Sequence, residues 1–331
     1  MKLKKILFML QKAYRDIFNS SSPYLISKDL RSKTLGEYYF LFEDNPAKLN
    51  RLIQGFDKKG IPLNKSYIDV NNDELNYYPI SIGQYALALF NKYILTKDEK
   101  KLKQFIVIAD WFLDNVKYDK NNFAYWVSDV PKPEYKVFDP WKSAFVQSRA
   151  ISVLLRAWQV TNNNKYFDVA SKSLGIFNLD VKEGGVSAIT EKGKFYEEYV
   201  ASEHTMVLDG HLFSLLGLYD FYRAVESPPL SIQAKKLFDE GIESLINWLP
   251  EYDMGYWLRF NMCKMDHYPK IDPCTIGYLR LVSLQLRLLY LLTQNETLKK
   301  YYSKFEKYDK PYNILKSYIV KFKALRQLGR I

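Results

Sequence analysis

Histidine and cysteine are scarce in this chain of 331 residues, with three of the first and two of the second. His204 and His211 stand seven positions apart, which lets two side chains share a helix face but matches no metal-ligand motif. Structural or surface roles are therefore expected for them and for His267, and no metal is expected. Cys263 and Cys274 have neither a redox nor a zinc spacing, which argues against a disulfide-stapled secreted domain and favours a reducing compartment. Glycine is thin as well, at 14 residues, and no P-loop, dinucleotide fingerprint or nucleophile elbow occurs. No stretch approaches the roughly 20 apolar residues of a membrane span. The run Ile6 to Leu10 behind Lys2-Leu3-Lys4-Lys5 is cut by Gln11 and Lys12, short of the roughly 7–15 residues of a signal sequence. A cytoplasmic protein is expected, its basic N-terminal segment touching a membrane at most peripherally.

What is abundant is positive charge and aromatic side chains. Lys and Arg number 48 against 37 Asp and Glu, and the net charge of +11 attracts polyanions. The lysines are scattered among acids, as in Lys97-Asp98-Glu99-Lys100-Lys101, and read as solvated helix faces; no nucleic-acid partner is expected. Aromatics make up 16% of the chain, with 27 tyrosines, a composition that suits a cleft stacking sugar rings even after the core takes its share.

Residues 1–75 read as a lead-in with short strands, from the runs Tyr38-Tyr39-Phe40-Leu41-Phe42 and Ile61-Pro62-Leu63 broken by Asn45-Pro46 and Lys59-Gly60. From 76 to 331 helical periodicity takes over. Ile82, Tyr85, Ala86, Leu89 and Tyr93 share one face, as do Phe105, Ile108, Ala109 and Phe112. Further helices are expected over about 141–160, 164–176, 205–225 and 231–248, and two or three between 275 and 327. Long loops (118–140, 177–204 and 249–274) carry acids and aromatics, and short ones close hairpins. The fold class is mainly α, an (α/α) barrel or toroid with a small β-containing N-terminal portion.

Two loop clusters are chemically suggestive. Glu197-Glu198-Tyr199 follows a tight segment, and neighbouring carboxylates on an extended chain face opposite ways, so one enters a cleft and pattern alone makes the pair surface acids. In Asp253-Met254-Gly255-Tyr256-Trp257-Leu258-Arg259, the guanidinium suits a carboxylate and is expected to lower the pKa of Tyr256. A helical segment would put Tyr256 and Arg259 on one face, whereas an extended one would need a turn to join them. A paired-carboxylate glycosidase stays open, since Asp129, Asp139, Glu197, Glu198 and Asp253 all lie in long loops without a distinguishing spacing.

From about Gly60 to Leu292 the chain resembles the C-terminal domain of D-glucuronyl C5-epimerases. The resemblance is carried by Tyr78-Pro79-Ile80-Ser81-Ile82-Gly83-Gln84-Tyr85, Trp141-Lys142-Ser143-Ala144 with Gln147, Tyr196-Glu197-Glu198-Tyr199, Leu208-Asp209-Gly210-His211, Gly217-Leu218-Tyr219-Asp220 and Leu249-Pro250-Glu251-Tyr252-Asp253. It implies an (α/α) barrel, a homodimer, an acidic glycan substrate and cofactor-independent C5 epimerisation of a uronic acid unit. The implied catalytic residues are Glu198, Tyr199, Tyr256 and Tyr278, with Arg259 holding the substrate carboxylate. Tyr78, Gln84, Tyr85, Trp141, Gln147, Arg149 and Asp209 are implied as substrate contacts. Departures are Gln147-Ser148-Arg149 for glutamine-glycine-glutamine, Asp209 for an asparagine, and Leu279-Arg280-Leu281 beside Tyr278. The large β-rich N-terminal region of the animal enzymes is mostly missing. A uronate lyase and a catalytically silent glycan binder are the competing readings.

Overall fold

A computed structural model describes residues 24–45, 49, 52–66 and 74–330, with isolated positions between 7 and 18. A three-stranded antiparallel sheet opens the chain, with β1 (Ile53–Phe56) and β3 (Leu75–Tyr77) flanking β2 (Pro62–Lys65). The expected strand at Tyr38–Phe42 is instead a ribbon with one bridge, Ile26 to Phe40, whose rings are buried in the core. Aromatic runs satisfy the same pattern whether they pair in a sheet or fill a core, and here core packing prevails.

Nine helices follow among the described residues. They are α1 (Pro79–Thr96), α2 (Glu99–Asp114), α3 (Ala144–Thr161), α4 (Asn164–Ser173), α5 (Leu208–Ala224), α6 (Pro228–Tyr252), α7 (Ile276–Thr293), α8 (Glu296–Glu306) and α9 (Pro311–Gln327). Asp98, Ser143, Asn163 and Asn295 cap α2, α3, α4 and α8 through side-chain oxygens that accept backbone N–H groups, fixing where those helices begin. Each odd helix from α1 to α7 forms a hairpin with the next, and α1, α3, α5 and α7 pack side by side as an inner row. The inner helices are apolar nearly all round: every residue of α5 except Tyr222 is buried, as is the whole of 144–157 in α3. This is the stacked-hairpin arrangement of an (α/α) toroid. Helix α7 is long and apolar enough to cross a membrane by length and composition, unlike the expectation that no stretch qualifies, but half of it is buried and it packs on α5 and α8.

Small residues set the closest approach in the row. A Cβ at Gly217 of α5 would lie 2.4 Å from Ser148 Oγ and 2.5 Å from the Ser148 carbonyl of α3. Ser148 Oγ instead accepts the Gly217 N–H at 2.9 Å and donates to Phe213 O at 2.8 Å. Glycine inside a helix costs about 1 kcal/mol relative to alanine, so the contact offsets that loss. Gly217→Ala is expected to destabilise the chain by about 2 kcal/mol through overpacking, read as a lower urea midpoint with unchanged slope.

Buried charge ties the lead-in to this row. Asp220 accepts from Arg156 Nη1 at 2.7 Å and Arg223 Nη2 at 3.1 Å, and Arg156 Nε donates to Gly36 O at 3.0 Å. Burial works to raise the Asp220 pKa, but the two guanidiniums outweigh it and hold the carboxyl below its ordinary range.

Candidate active site

Because α1, α3, α5 and α7 run the same way, the long loops that precede the last three emerge at one end. Two short ribbons shape them there: β4 (Val127–Ser128) pairs with β5 (Trp141–Lys142), and β6 (Ser187–Thr190) with β7 (Gly193–Tyr196). The chain leaving β7 is clamped on the start of α3, since Ala144 N donates to Glu197 O at 2.8 Å and Val200 N to Lys142 O at 3.2 Å. Its other side lies against the first turn of α5, where a Cβ at Gly210 would meet Glu198 Cβ at 2.4 Å. Both faces of the segment are covered, so Glu197 and Glu198 are both buried rather than surface acids.

The two carboxylates have different surroundings. Glu197 Oε2 accepts from Thr205 Oγ1 at 2.6 Å and Met206 N at 2.9 Å, bracing the loop that leads into α5. Burial pushes its pKa up to about 7. Stability from a raised carboxyl is complete below its unfolded value and is lost as pH rises through the folded one. Glu197→Gln, which keeps the acceptor, is therefore expected to stabilise the chain above pH 7 by on the order of 3 kcal/mol and to change little below pH 4.5, as thermal melts at the two extremes would show.

Glu198 is bonded by the Tyr199 side chain; burial raises its pKa, while Tyr199 and the Lys132 ammonium pull it down and Glu134 pushes it up. Asp209, on the first turn of α5, is raised well above the carboxylate range by burial and then by the Glu198 charge. Neither Glu198 Oε2 nor Asp209 Oδ1 has a hydrogen-bond partner among the described residues.

Lys132 is the cation of this group and was not singled out in the sequence. It is 4% exposed, 3.4 Å from Glu134 Oε1 and 4.2 Å from the centre of the Tyr199 ring. The available signal was Pro131-Lys132-Pro133: two prolines fix the backbone on either side of one lysine, which a solvated lysine does not need. A bridge between Lys132 and Val137 closes that loop.

Aromatic rings wall the cluster. Tyr199 stacks on Tyr135 at 5.4 Å and touches Trp141 at 5.0 Å; Tyr135 stacks on Tyr268, also at 5.4 Å, and Trp141 meets Tyr78 at 6.4 Å. Asn261 Nδ2 donates to the hydroxyls of Tyr135 and Tyr268, both at 2.7 Å, and Tyr268 donates to Asp272 at 2.9 Å. A depression of about 350 Å³ opens beside Trp141 and Lys142.

Of the residues named from the sequence, Glu198, Tyr199, Asp209, Trp141 and Tyr78 come together here. Tyr256, Arg259 and Tyr278 sit on the neighbouring wall. The segment 253–259 is neither helical nor straight: it turns at Gly255, whose φ is +78°, and Asp253 bridges to Leu258. Lys316 of α9 lies 3.8 Å over the Tyr256 ring, while Arg259 Nη1 donates to Lys270 O. Burial raises the Tyr256 pKa, opposite to the lowering expected from Arg259. Tyr278 stands edge-on to Phe260 at 5.1 Å, and the Phe260 N–H donates to Asp272 O, linking that wall to the tyrosine stack.

Four of the expected substrate contacts have other surroundings. Gln147 spends its amide on Trp126 N, Trp126 O and Ser143 O, a backbone clamp. Arg149 is boxed by the rings of Tyr38, Phe42, Phe145 and Phe213, beside the Tyr38 hydroxyl but without a hydrogen bond of good geometry. Gln84 donates to the Tyr24 hydroxyl at 3.3 Å, and its neighbour Tyr85 packs on Phe56. His211 is structural, as expected: Nδ1 accepts from Tyr196 N, so Nε2 carries the proton and donates to Gly241 O, and burial lowers its pKa to about 3. Cys263 and Cys274 are buried and not joined in a disulfide.

A family model described as D-glucuronyl C5-epimerase C-terminus matches residues 119–307. A D-glucuronyl C5-epimerase of Caenorhabditis elegans is 33% identical over 188 residues, which are 53% of this chain and 30% of that protein. An uncharacterised protein of Methanocaldococcus jannaschii is 27% identical over 244 residues, 69% of this chain and 76% of its own. Among solved structures, a polysaccharide lyase aligns with a TM-score of 0.42 and 16% identity, over 79% of this chain and 68% of that one.

Proposed function

The chain belongs to the D-glucuronyl C5-epimerase family, and from that premise we propose that it inverts C5 of a uronic acid unit in an acidic glycan. The observation that carries this reading is the burial of Glu198, Tyr199 and Asp209 around one ammonium, Lys132, beneath stacked aromatic rings.

The C5 proton lies alpha to a carboxylate. Its removal sends the C–H electron pair into that carboxylate and leaves a dianion, which needs a fixed cation and a site poor in water. Lys132 supplies the cation beside the reacting face, with Arg259 a second one on the adjoining wall. The Glu198–Tyr199 pair takes the proton, beside Asp209, whose carboxyl burial holds well above its ordinary pKa. A proton returned to the other face of C5, for which Tyr256 and Tyr278 on the neighbouring wall are the candidates, inverts the centre.

Because the base must be ionised, the rate of C5 exchange is expected to rise with pH through a limb lying above the ordinary carboxylate range. A pH–rate profile would show it. Incubation with glucuronate-containing oligosaccharides in heavy water tests the reaction itself. Deuterium at C5 together with the inverted sugar supports epimerisation. An unsaturated, ultraviolet-absorbing end would identify a lyase, and binding without exchange a silent glycan-binding protein; either overturns the proposal.

A further inference from the structure

Helix α9 turns an unusual face outward. Its inner side is anchored: Ile314, Ser317, Ala324 and Leu325 are buried, Lys321 Nζ pairs with Asp272 at 2.6 Å, and Gln327 Nε2 donates to His267 O. The outer side carries Tyr312, Leu315, Ile319 and Phe322, which are 53 to 75% exposed. They follow one another at intervals of three, four and three residues, a continuous apolar stripe along the helix. Single exposed apolar residues are ordinary, but four large ones in line mark a surface that meets something.

Charge selects the partner. Between Pro311 and Gln327 there is no acidic residue, while Lys323 and Arg326 are exposed beside the stripe. A second copy would bring like charges against each other with no acid on this face to pair them. An anionic lipid surface satisfies both features at once: the stripe enters the boundary between headgroups and acyl chains, and the cations meet the headgroup charge. We infer that α9 is a peripheral docking element for anionic membranes, a property separate from the catalytic reading. Lys316, exposed one turn from Tyr312 and Ile319, covers the Tyr256 ring, so docking by this face brings the Tyr256 wall close to the lipid surface.

Co-sedimentation of the full chain with vesicles of phosphatidylcholine, with and without phosphatidylglycerol, tests this. The chain is expected to sediment with the anionic vesicles and to remain in solution with the neutral ones. Leu315→Ser/Ile319→Ser/Phe322→Ser should weaken binding by about tenfold or more. Lys323→Gln and Arg326→Gln should each weaken it by about fivefold, whereas Lys100→Gln/Lys103→Gln on exposed α2 should not. Circular dichroism confirms that each variant is folded. No binding to anionic vesicles, binding undiminished by the α9 substitutions, or equal loss in the α2 control would overturn the inference. So would a dimer in sedimentation velocity that the triple substitution dissolves, in a chain that ignores vesicles.

Discussion

Glu198→Gln is expected to abolish most C5 exchange, lowering the rate by about 10³-fold, within the range for loss of a positioned general base. The amide keeps the shape of the carboxyl and can still accept from Tyr199, so the pocket between Trp141 and Gly210 stays filled. It cannot take up a proton. The substitution also removes a carboxyl whose ionisation burial opposes, so the variant should be no less stable than the parent at pH 8. That combination, activity lost and melting temperature kept or raised, separates a chemical role from a structural one. Glu197→Gln serves as the internal comparison: it is equally buried, but its Oε2 is committed to Thr205 and Met206 in bracing the loop, so exchange should survive.

Lys132→Gln should have the second largest effect, a loss of about 10²–10³-fold in kcat/KM, as for removal of one preorganised charge from a transition state. Lys132 lowers the pKa of Glu198 and of Asp209. Its neutralisation should therefore move the alkaline-rising limb of the pH–rate profile to higher pH, which mere loosening of the Pro131–Pro133 loop would not do. Lys132→Arg keeps the charge and should restore the position of the limb even if the larger head lowers the rate. If Lys132→Gln leaves both kcat/KM and the limb unchanged, Arg259 alone holds the substrate carboxylate.

Much of the architecture was legible because it rests on periodicity and caps. The helix expected over about 141–160 runs from Ala144 to Thr161, its start fixed by Ser143, and the three helices expected at most between 275 and 327 are all present. The Tyr38–Phe42 run was misread because the aromatic signal for a strand and for a buried ribbon is the same. Glu197 and Glu198 looked like surface acids because alternation supposes one solvated face, and the segment has none. Lys132 was lost among 48 basic residues; what distinguishes it is its convergence with Tyr199 and Glu198 from a second loop and Asp209 from a helix start, which no local window contains. The turn at Gly255 likewise sends Tyr256 to α9 and Arg259 to Lys270 O, a separation that spacing alone left open.

The most direct test of the cluster is wash-out of deuterium from C5 of a labelled glucuronate-containing oligosaccharide in ordinary water, followed by proton NMR for the parent chain and for Tyr199→Phe. Tyr199→Phe keeps the ring that stacks on Tyr135 and Trp141 and removes only the hydroxyl bonded to Glu198. The expected result is rapid wash-out by the parent and a loss of about 10²-fold or more in the variant. Wash-out by Tyr199→Phe at the parental rate would contradict the placement of proton transfer at Glu198 and Tyr199.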